Sequence, residues 1–213
     1  MAVTGPTVSL GYQLVRARRA LLAWLAFWAN ALLFAAAVLV LGIGSAFWLI
    51  ERGSQLTTQR NGPWVMWIRA GQRDLDPYTR ARQSRHGHLP LSAQIAATWE
   101  ARYDNDGRRL HSSCEYLLES EPIDAGWFSL AVYDDTGLLI PNSAERHAFT
   151  SQTIASNPDG SFFLVLARDA RPGNWLPVGG AGRLSLMLTM VEPKPSVAES
   201  AQQLPSIRRI GCR

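Results

Sequence analysis

The chain has 213 residues, 47% of them hydrophobic and 18% charged, with 21 basic against 17 acidic side chains and a formal charge of +4. Arg16, Arg18 and Arg19 precede the first acidic residue, Glu51, so positions 1–50 carry +3 and the remainder, 18 basic minus 17 acidic, only +1. A nearly neutral remainder lacks the basic footprint of a nucleic-acid binder, and no heptad, internal repeat or low-complexity tract points to a fibrous or solenoid protein.

Residues 1–19 form a short N-terminus that ends in the three arginines. Ala20 to Ile50 is then an uncharged apolar run of 31 residues, relieved by Asn30, Ser45 and two glycines. About 20 apolar residues cross a hydrocarbon layer of roughly 30 Å, so residues 20–50 are expected to be a single transmembrane helix. Trp24 and Trp28 near one end and Trp48 near the other suit the two headgroup layers, because Trp28 and Trp48 lie about 30 Å apart along a helix. The arginines place the N-terminus in the cytoplasm by the positive-inside bias. The expected location is a bacterial inner membrane, with the C-terminal part in the periplasm. A cleaved signal peptide is the rival, since Gly44-Ser45-Ala46 has small-x-small character, but signal h-regions run only about 7–15 residues.

Residues 51–62 are mostly polar and read as a linker, and residues 63–213 as one exported domain. That stretch is long enough for a single real core. Gly62-Pro63 opens the aromatic segment Trp64 to Ile68. Asp76-Pro77 has the character of an N-cap and a first-turn proline, predicting a short helix through about Arg85, with Gly87 ending it. From Ile95 onward the signals are mostly strand. Thr98 to Tyr103, the turn Asp104-Asn105-Asp106-Gly107, and Leu110 to Leu118 read as a hairpin. Trp127 to Tyr133, Asp134-Asp135-Thr136-Gly137 and Leu138 to Ile140 repeat the pattern, and Asn157-Pro158-Asp159-Gly160 makes a third turn before Phe162 to Leu166. Leu184, Leu186, Leu188 and Met190 alternate with Arg183, Ser185, Met187 and Thr189, the period of a half-buried strand. The fold class is therefore mainly β, a transmembrane helix followed by an antiparallel jelly-roll or β-sandwich-like domain.

Cys114 and Cys212 are the only cysteines. In an oxidising compartment they are expected to pair, closing a loop of about 100 residues and stapling a Pro-rich tail (Pro193, Pro195, Pro205). The alternative, Cys114 as a nucleophile, lacks a base: His111, three residues away, falls on the opposite face of a strand.

Asp135-Thr136-Gly137-Leu138-Leu139-Ile140-Pro141-Asn142, Asn157-Pro158-Asp159-Gly160-Ser161 and Asn174-Trp175-Leu176-Pro177, in that order, resemble the signature of the domain-of-unknown-function family 1214. The resemblance runs from about Pro63 to Arg213 and implies an all-β, jelly-roll-like domain. In longer relatives that domain follows a companion of the family numbered 1254. Here a membrane anchor stands in the companion's place, so the resemblance implies a membrane-anchored short form. The family carries no established activity.

The residues give no assembled catalytic set. His86-Gly87-His88 is thin for a metal, with no nearby Cys or third carboxylate. Asp104 with Asp106, and Asp134 with Asp135, could form calcium-like oxygen clusters, but turn chemistry explains them more simply and neither loop carries EF-type spacing with a distal Glu. His111 and His147 stand without a Gly-x-Ser-x-Gly elbow, and Gly179-Gly180-Ala181-Gly182 leads into a strand rather than a phosphate-binding helix. Neither a catalytic residue, a cofactor nor a metal is therefore assigned. Asn174 and Trp175 read either as scaffold, with Trp175 a buried plug, or as part of a site for a sugar or an anionic ligand with Arg171 and Arg183 (Arg168 nearby). Arginine nearly replaces lysine throughout, which weakens any local meaning of the arginines. The leading expectation is a non-catalytic domain that binds a partner protein, either a companion-domain membrane protein or a second copy, with membrane lipid around the helix and no nucleic acid. Small residues at Ala35, Ala36, Gly42 and Ala46 would admit a second helix, or are ordinary filler. The alternative is a periplasmic carbohydrate-binding or carbohydrate-active module using Trp175, Trp99 or Trp127. Glu100 and Glu115, on the two arms of the first hairpin, would be its carboxylate pair.

Overall fold

The computed structural model describes residues 10–86, 91, 92, 95–193 and 204–212. The chain divides into two compact units, Met1–Leu49 and Ile50–Arg213.

The described part of the first unit belongs to one helix, α1 (Leu10–Arg52), of 43 residues. It is longer than the apolar run, because the stretch before Ala20 is rich in good helix formers and contains no proline. Val15–Arg52 is long and apolar enough to cross a membrane. Its large apolar side chains lie open, with Leu33 73% and Phe34 72% exposed. A continuous exposed apolar surface of this length is compatible with a membrane span. Trp24 and Trp28 meet edge to face at 6.1 Å, as expected for residues one turn apart. Gly53, with φ +68°, follows the helix, and a Cβ there would lie 2.3 Å from Thr58 Cγ2. Only glycine satisfies both the left-handed conformation and the space.

The second unit holds β1 (Thr58–Asn61), β2 (Trp64–Trp67), α2 (Pro77–His86), β3 (Ala96–Ala101), β4 (Cys114–Ser120), β5 (Ala125–Asp134), β6 (Ala148–Thr150), β7 (Phe162–Ala167), β8 (Trp175–Pro177), β9 (Leu184–Pro193) and β10 (Ser206–Cys212). They form a six-stranded sheet, β1-β2-β3-β9-β5-β6, and a four-stranded sheet, β10-β4-β7-β8. The protein is thus mainly β, with one long apolar helix followed in sequence by two sheets. All pairings in the larger sheet are antiparallel. The smaller sheet departs from the antiparallel expectation at β7 and β8, which run parallel. β8 has only three residues, so the chain retraces little distance to reach it.

Period-2 burial builds the core between the sheets. In β9, Leu184, Leu186, Leu188 and Met190 are fully buried while Ser185, Met187 and Thr189 are half-buried. Tyr116, Leu118, Leu164, Leu166 and Ile207 complete the same core from the smaller sheet. Phe128 of β5 stacks on Phe162 of β7 at 5.7 Å, joining the two layers. Each such side chain contributes about 1.5–3 kcal/mol on full burial.

Three expectations change. The second half of the stretch read as a linker is β1, which pairs with β2 across Gly62-Pro63. The Asp104–Gly107 turn exists, but only the bridge Tyr103↔Arg109 extends it. The chain then crosses to the other sheet, where β4 pairs with β10 and β7 while β3 stays with β2 and β9. Local turn chemistry reverses the chain; the choice of strand partner depends on β9 and β10, which are distant in sequence. Finally, the described end of the Pro-rich tail, residues 204–212, contributes to the core through β10. Ile207 is fully buried, and the Trp64 indole donates to the Pro205 carbonyl at 2.7 Å. Cys114 and Cys212 are bonded as expected, and they are direct cross-strand neighbours.

The helix expected from Asp76 is α2. Asp76 Oδ1 accepts from the Tyr78 and Thr79 amides at 3.0 Å, the bonding of an N-cap. Gly87, expected to end it, lies outside the described residues.

Candidate functional site

Asn174 sits in the loop between β7 and β8 and is buried. Its Oδ1 accepts from the Ala155 amide at 2.8 Å, and its Nδ2 donates to the carbonyls of Ala155 at 2.8 Å and Phe163 at 2.7 Å. These three bonds tie the 155 loop to β7. Trp175 begins β8 half-buried, its indole donating to the Ala167 carbonyl at 3.1 Å. The Arg146 guanidinium lies 6.0 Å from its ring. Arg171 reaches Glu115 on β4, and that bond holds the guanidinium above its ordinary pKa. Arg183 grips Asp135 Oδ2 through Nε at 3.1 Å and Nη2 at 2.8 Å. The four residues therefore have four different sets of partners; only Asn174 and Trp175 are neighbours.

The other groups weighed for chemistry have structural partners. Asp134 Oδ1 accepts from the Thr136 amide and hydroxyl and the Leu138 amide, and Asp159 Oδ1 accepts from Ser161 in the same way. Those bonds lower both carboxyl pKa values. Asp104 accepts from the Arg108 amide, and Arg108 faces Asp106. His111 Nδ1 bonds Ser113 Oγ at 2.8 Å, and His147 Nδ1 lies 3.3 Å from Asn142 Nδ2. The proposed pair Glu100 and Glu115 is divided between the two sheets, with Glu100 held by Arg82 and Arg102 and Glu115 by Arg171. Trp99 is a core side chain, 2% exposed, so it does not share a platform with Trp127 on β5 or Trp175 on β8. Among the described residues no three His, Cys, Asp or Glu side chains converge as a metal requires. His88 lies outside the described residues, and nothing is described of the His86 side chain.

Two surface features stand out instead. The first is the outer face of the four-stranded sheet. Cross-strand register puts Arg208, Leu117, Val165 and Trp175 in one row over all four strands. Phe163, 52% exposed, lies beside them, opposite Glu119. The ion pairs Arg208–Glu119 and Arg171–Glu115 border this apolar strip.

The second is a cleft of about 560 Å³ beside the outer face of β3, lined by Trp67, Arg82, Glu100, Arg102, Tyr103 and Arg109 among others. Glu100 accepts from Arg82 at 3.0 Å through one oxygen and from Arg102 through the other. Arg82 also donates to the Glu51 carbonyl at 2.8 Å and lies 5.0 Å from the Trp67 ring centroid. Burial lowers its pKa against the pull of Glu100, and Arg102 adds to the lowering. Arg109 lies over the Tyr103 ring at 5.5 Å, its pKa lowered by burial and then by Arg102. Sequence reasoning missed this cluster. Glu100 and Arg102 share a strand face at i, i+2, a signal available in principle, but Arg82 and Arg109 join them only through the fold.

The chain thus has one long apolar helix, a candidate membrane span, followed by a two-sheet β unit with an arginine-lined cleft. Residues 95–195 match the family model described as Protein of unknown function (DUF1214). The match spans β3 to β9 and contains all three signature segments; β1, β2 and β10 lie outside it. The chain is similar to the crystal structure of the VPA0106 protein from Vibrio parahaemolyticus, at 17% identity and a TM-score of 0.55, over 63% of this chain and 35% of that one. It is also similar to an uncharacterized protein from Burkholderia cenocepacia, at 18% identity and a TM-score of 0.41, over 56% of this chain and 30% of that one. The chain thus spans about a third of these solved structures, and the likeness to the Vibrio protein concerns fold alone. No curated protein matches the chain.

Proposed function

We propose that this protein is a single-pass inner-membrane protein whose periplasmic β domain works without catalysis by docking a partner protein. The carrying observation is the outer face of the four-stranded sheet. Leu117, Val165, Trp175 and Phe163 form an apolar strip bordered by two ion pairs, the arrangement of a protein interface with an apolar centre and a polar rim. Half-exposed aromatic side chains between arginines are also the composition of interface hot spots. The arginines before the apolar run support a cytoplasmic N-terminus, and the Cys114–Cys212 bond suits an oxidising compartment. Confinement to one membrane raises the effective concentration of a partner anchored beside it.

Photo-cross-linkers placed at Phe163 and at Leu117 in the full chain, in its membrane, test this reading. The expected result is one common cross-linked protein from both positions, absent from a control position at Asp106 and lost on Val165→Arg. Purification in mild detergent should then recover that protein at near-equimolar ratio. Cross-linking at Phe163 and Leu117 no stronger than at Asp106 would overturn it.

A further inference from the structure

We propose that the arginine cleft beside β3 is a binding site for an anion carrying about two negative charges on phosphate groups, gripped by Arg102 and Arg109. Arg52, Arg60, Arg82, Arg102 and Arg109 line it against the carboxylates of Glu51, Glu100 and Asp104, which leaves an excess of two positive charges. Glu100 is shared by two guanidiniums, so it neutralises only part of their charge. Arg109 makes no ion pair among the described residues; its partner is the Tyr103 ring. The guanidiniums are partly desolvated, the Arg82 side chain being 11% and the Arg102 side chain 30% exposed. Crowded cations in a partly dry cleft repel one another and bind an incoming anion more strongly than they would in open water. The planar fork of arginine donates two parallel hydrogen bonds to phosphate, and a phosphate monoester brings about −1.5 to −2 charges, more than one carboxylate.

Two sources have this chemistry: a soluble phosphate compound, or the two-phosphate headgroup of an anionic lipid. The second gains from position, since Arg52, on the cleft wall, follows the apolar run by two residues. The site is separate from the docking face on the other sheet and does not depend on that reading.

The experiment uses the full chain. Inorganic pyrophosphate is titrated calorimetrically into the protein in phosphatidylcholine nanodiscs. In parallel, native mass spectrometry counts cardiolipin retained against phosphatidylcholine from mixed micelles. Binding in either arm is expected, weakening steeply with added salt; the first arm indicates a soluble ligand, the second a lipid headgroup. Arg109→Gln and Arg102→Gln should each weaken binding roughly tenfold or more. Arg108→Gln, paired with Asp106, should leave it unchanged. Glu100→Gln should tighten binding, because it removes the carboxylate that Arg82 and Arg102 share, whereas a purely structural cluster would not respond in that direction. Failure of both probes to bind, or equal binding by wild type, Arg102→Gln and Arg109→Gln, would overturn the proposal.

Discussion

Replacing Asn174 by Ala separates a scaffold role from a ligand-binding one. The side chain makes three hydrogen bonds of 2.7–2.8 Å to the backbone of Ala155 and Phe163. Complete loss would leave one amide and two carbonyls without that partner. Ala155 and Phe163 are exposed, so water reaches the freed groups in part, and the lower range of about 1 kcal/mol per bond applies, for about 3 kcal/mol in all. For a unit of this size that corresponds to a fall in Tm of roughly 6–12 °C, measured by circular dichroism on the full chain in detergent. Asn174→Asp sharpens the test. One carboxylate oxygen keeps the Ala155 amide, but the other faces two carbonyl oxygens. Its folded-state pKa is therefore raised, the protonated form is favoured on folding, and the variant should regain stability as pH falls from 7 towards the carboxylate range. A change in Tm of less than a degree for Asn174→Ala would refute the scaffold account.

Three further outcomes are expected. Removing the disulfide by Cys114→Ser with Cys212→Ser frees a loop with a sequence separation of 98, for which chain entropy gives up to about 4–5 kcal/mol; chemical denaturation should show a loss of at least 2 kcal/mol, and an unchanged midpoint would count against it. Asp76 has a lowered pKa, burial being outweighed by bonds from Thr79 and Tyr78, and Asp134 and Asp159 are lowered by their turn hydrogen bonds. Their stabilisation is present above the unfolded carboxylate value of about 4 and is lost as pH falls through the lower folded values. A triple Asp→Asn variant should thus show a flatter Tm decline between about pH 4 and 2 than wild type, and a parallel decline would contradict the assignment. Gly53→Ala forces a Cβ into the left-handed region and 2.3 Å from Thr58 Cγ2; a loss of about 2 kcal/mol or more is expected in thermal melts, and a neutral result would mean the backbone relaxes freely.

Much of the architecture is legible locally. The run from Ala20 to Ile50 needs no tertiary information, because a charge-free apolar stretch of that length has one favourable solvent. Strand β9 is visible in the alternation from Leu184 to Met190, and α2 in Asp76-Pro77, because cap and period act over a few residues. The site was less legible. Asn174, Trp175, Arg171 and Arg183 are close in sequence, yet their side chains bond to the 155 loop, Ala167, Glu115 and Asp135 respectively. Closeness along the chain implies little in a β fold, where adjacent residues face opposite sides and loops return to distant strands.

By itself, the sequence determined the apolar span, the mainly β character of the rest, the three Asp-rich turns and the pairing of its two cysteines, since each rests on solvent preference, local hydrogen bonding or the absence of any other thiol. The tertiary structure alone decided which strands pair, sending β3 and β4 to different sheets and drawing the C-terminal strand into the core. It also gathered Arg82, Arg102 and Arg109 around Glu100, and aligned Leu117, Val165 and Trp175 in one row. Those arrangements depend on register between segments far apart in sequence, where the free energy comes from burying both sheets' inner faces together rather than from any local preference.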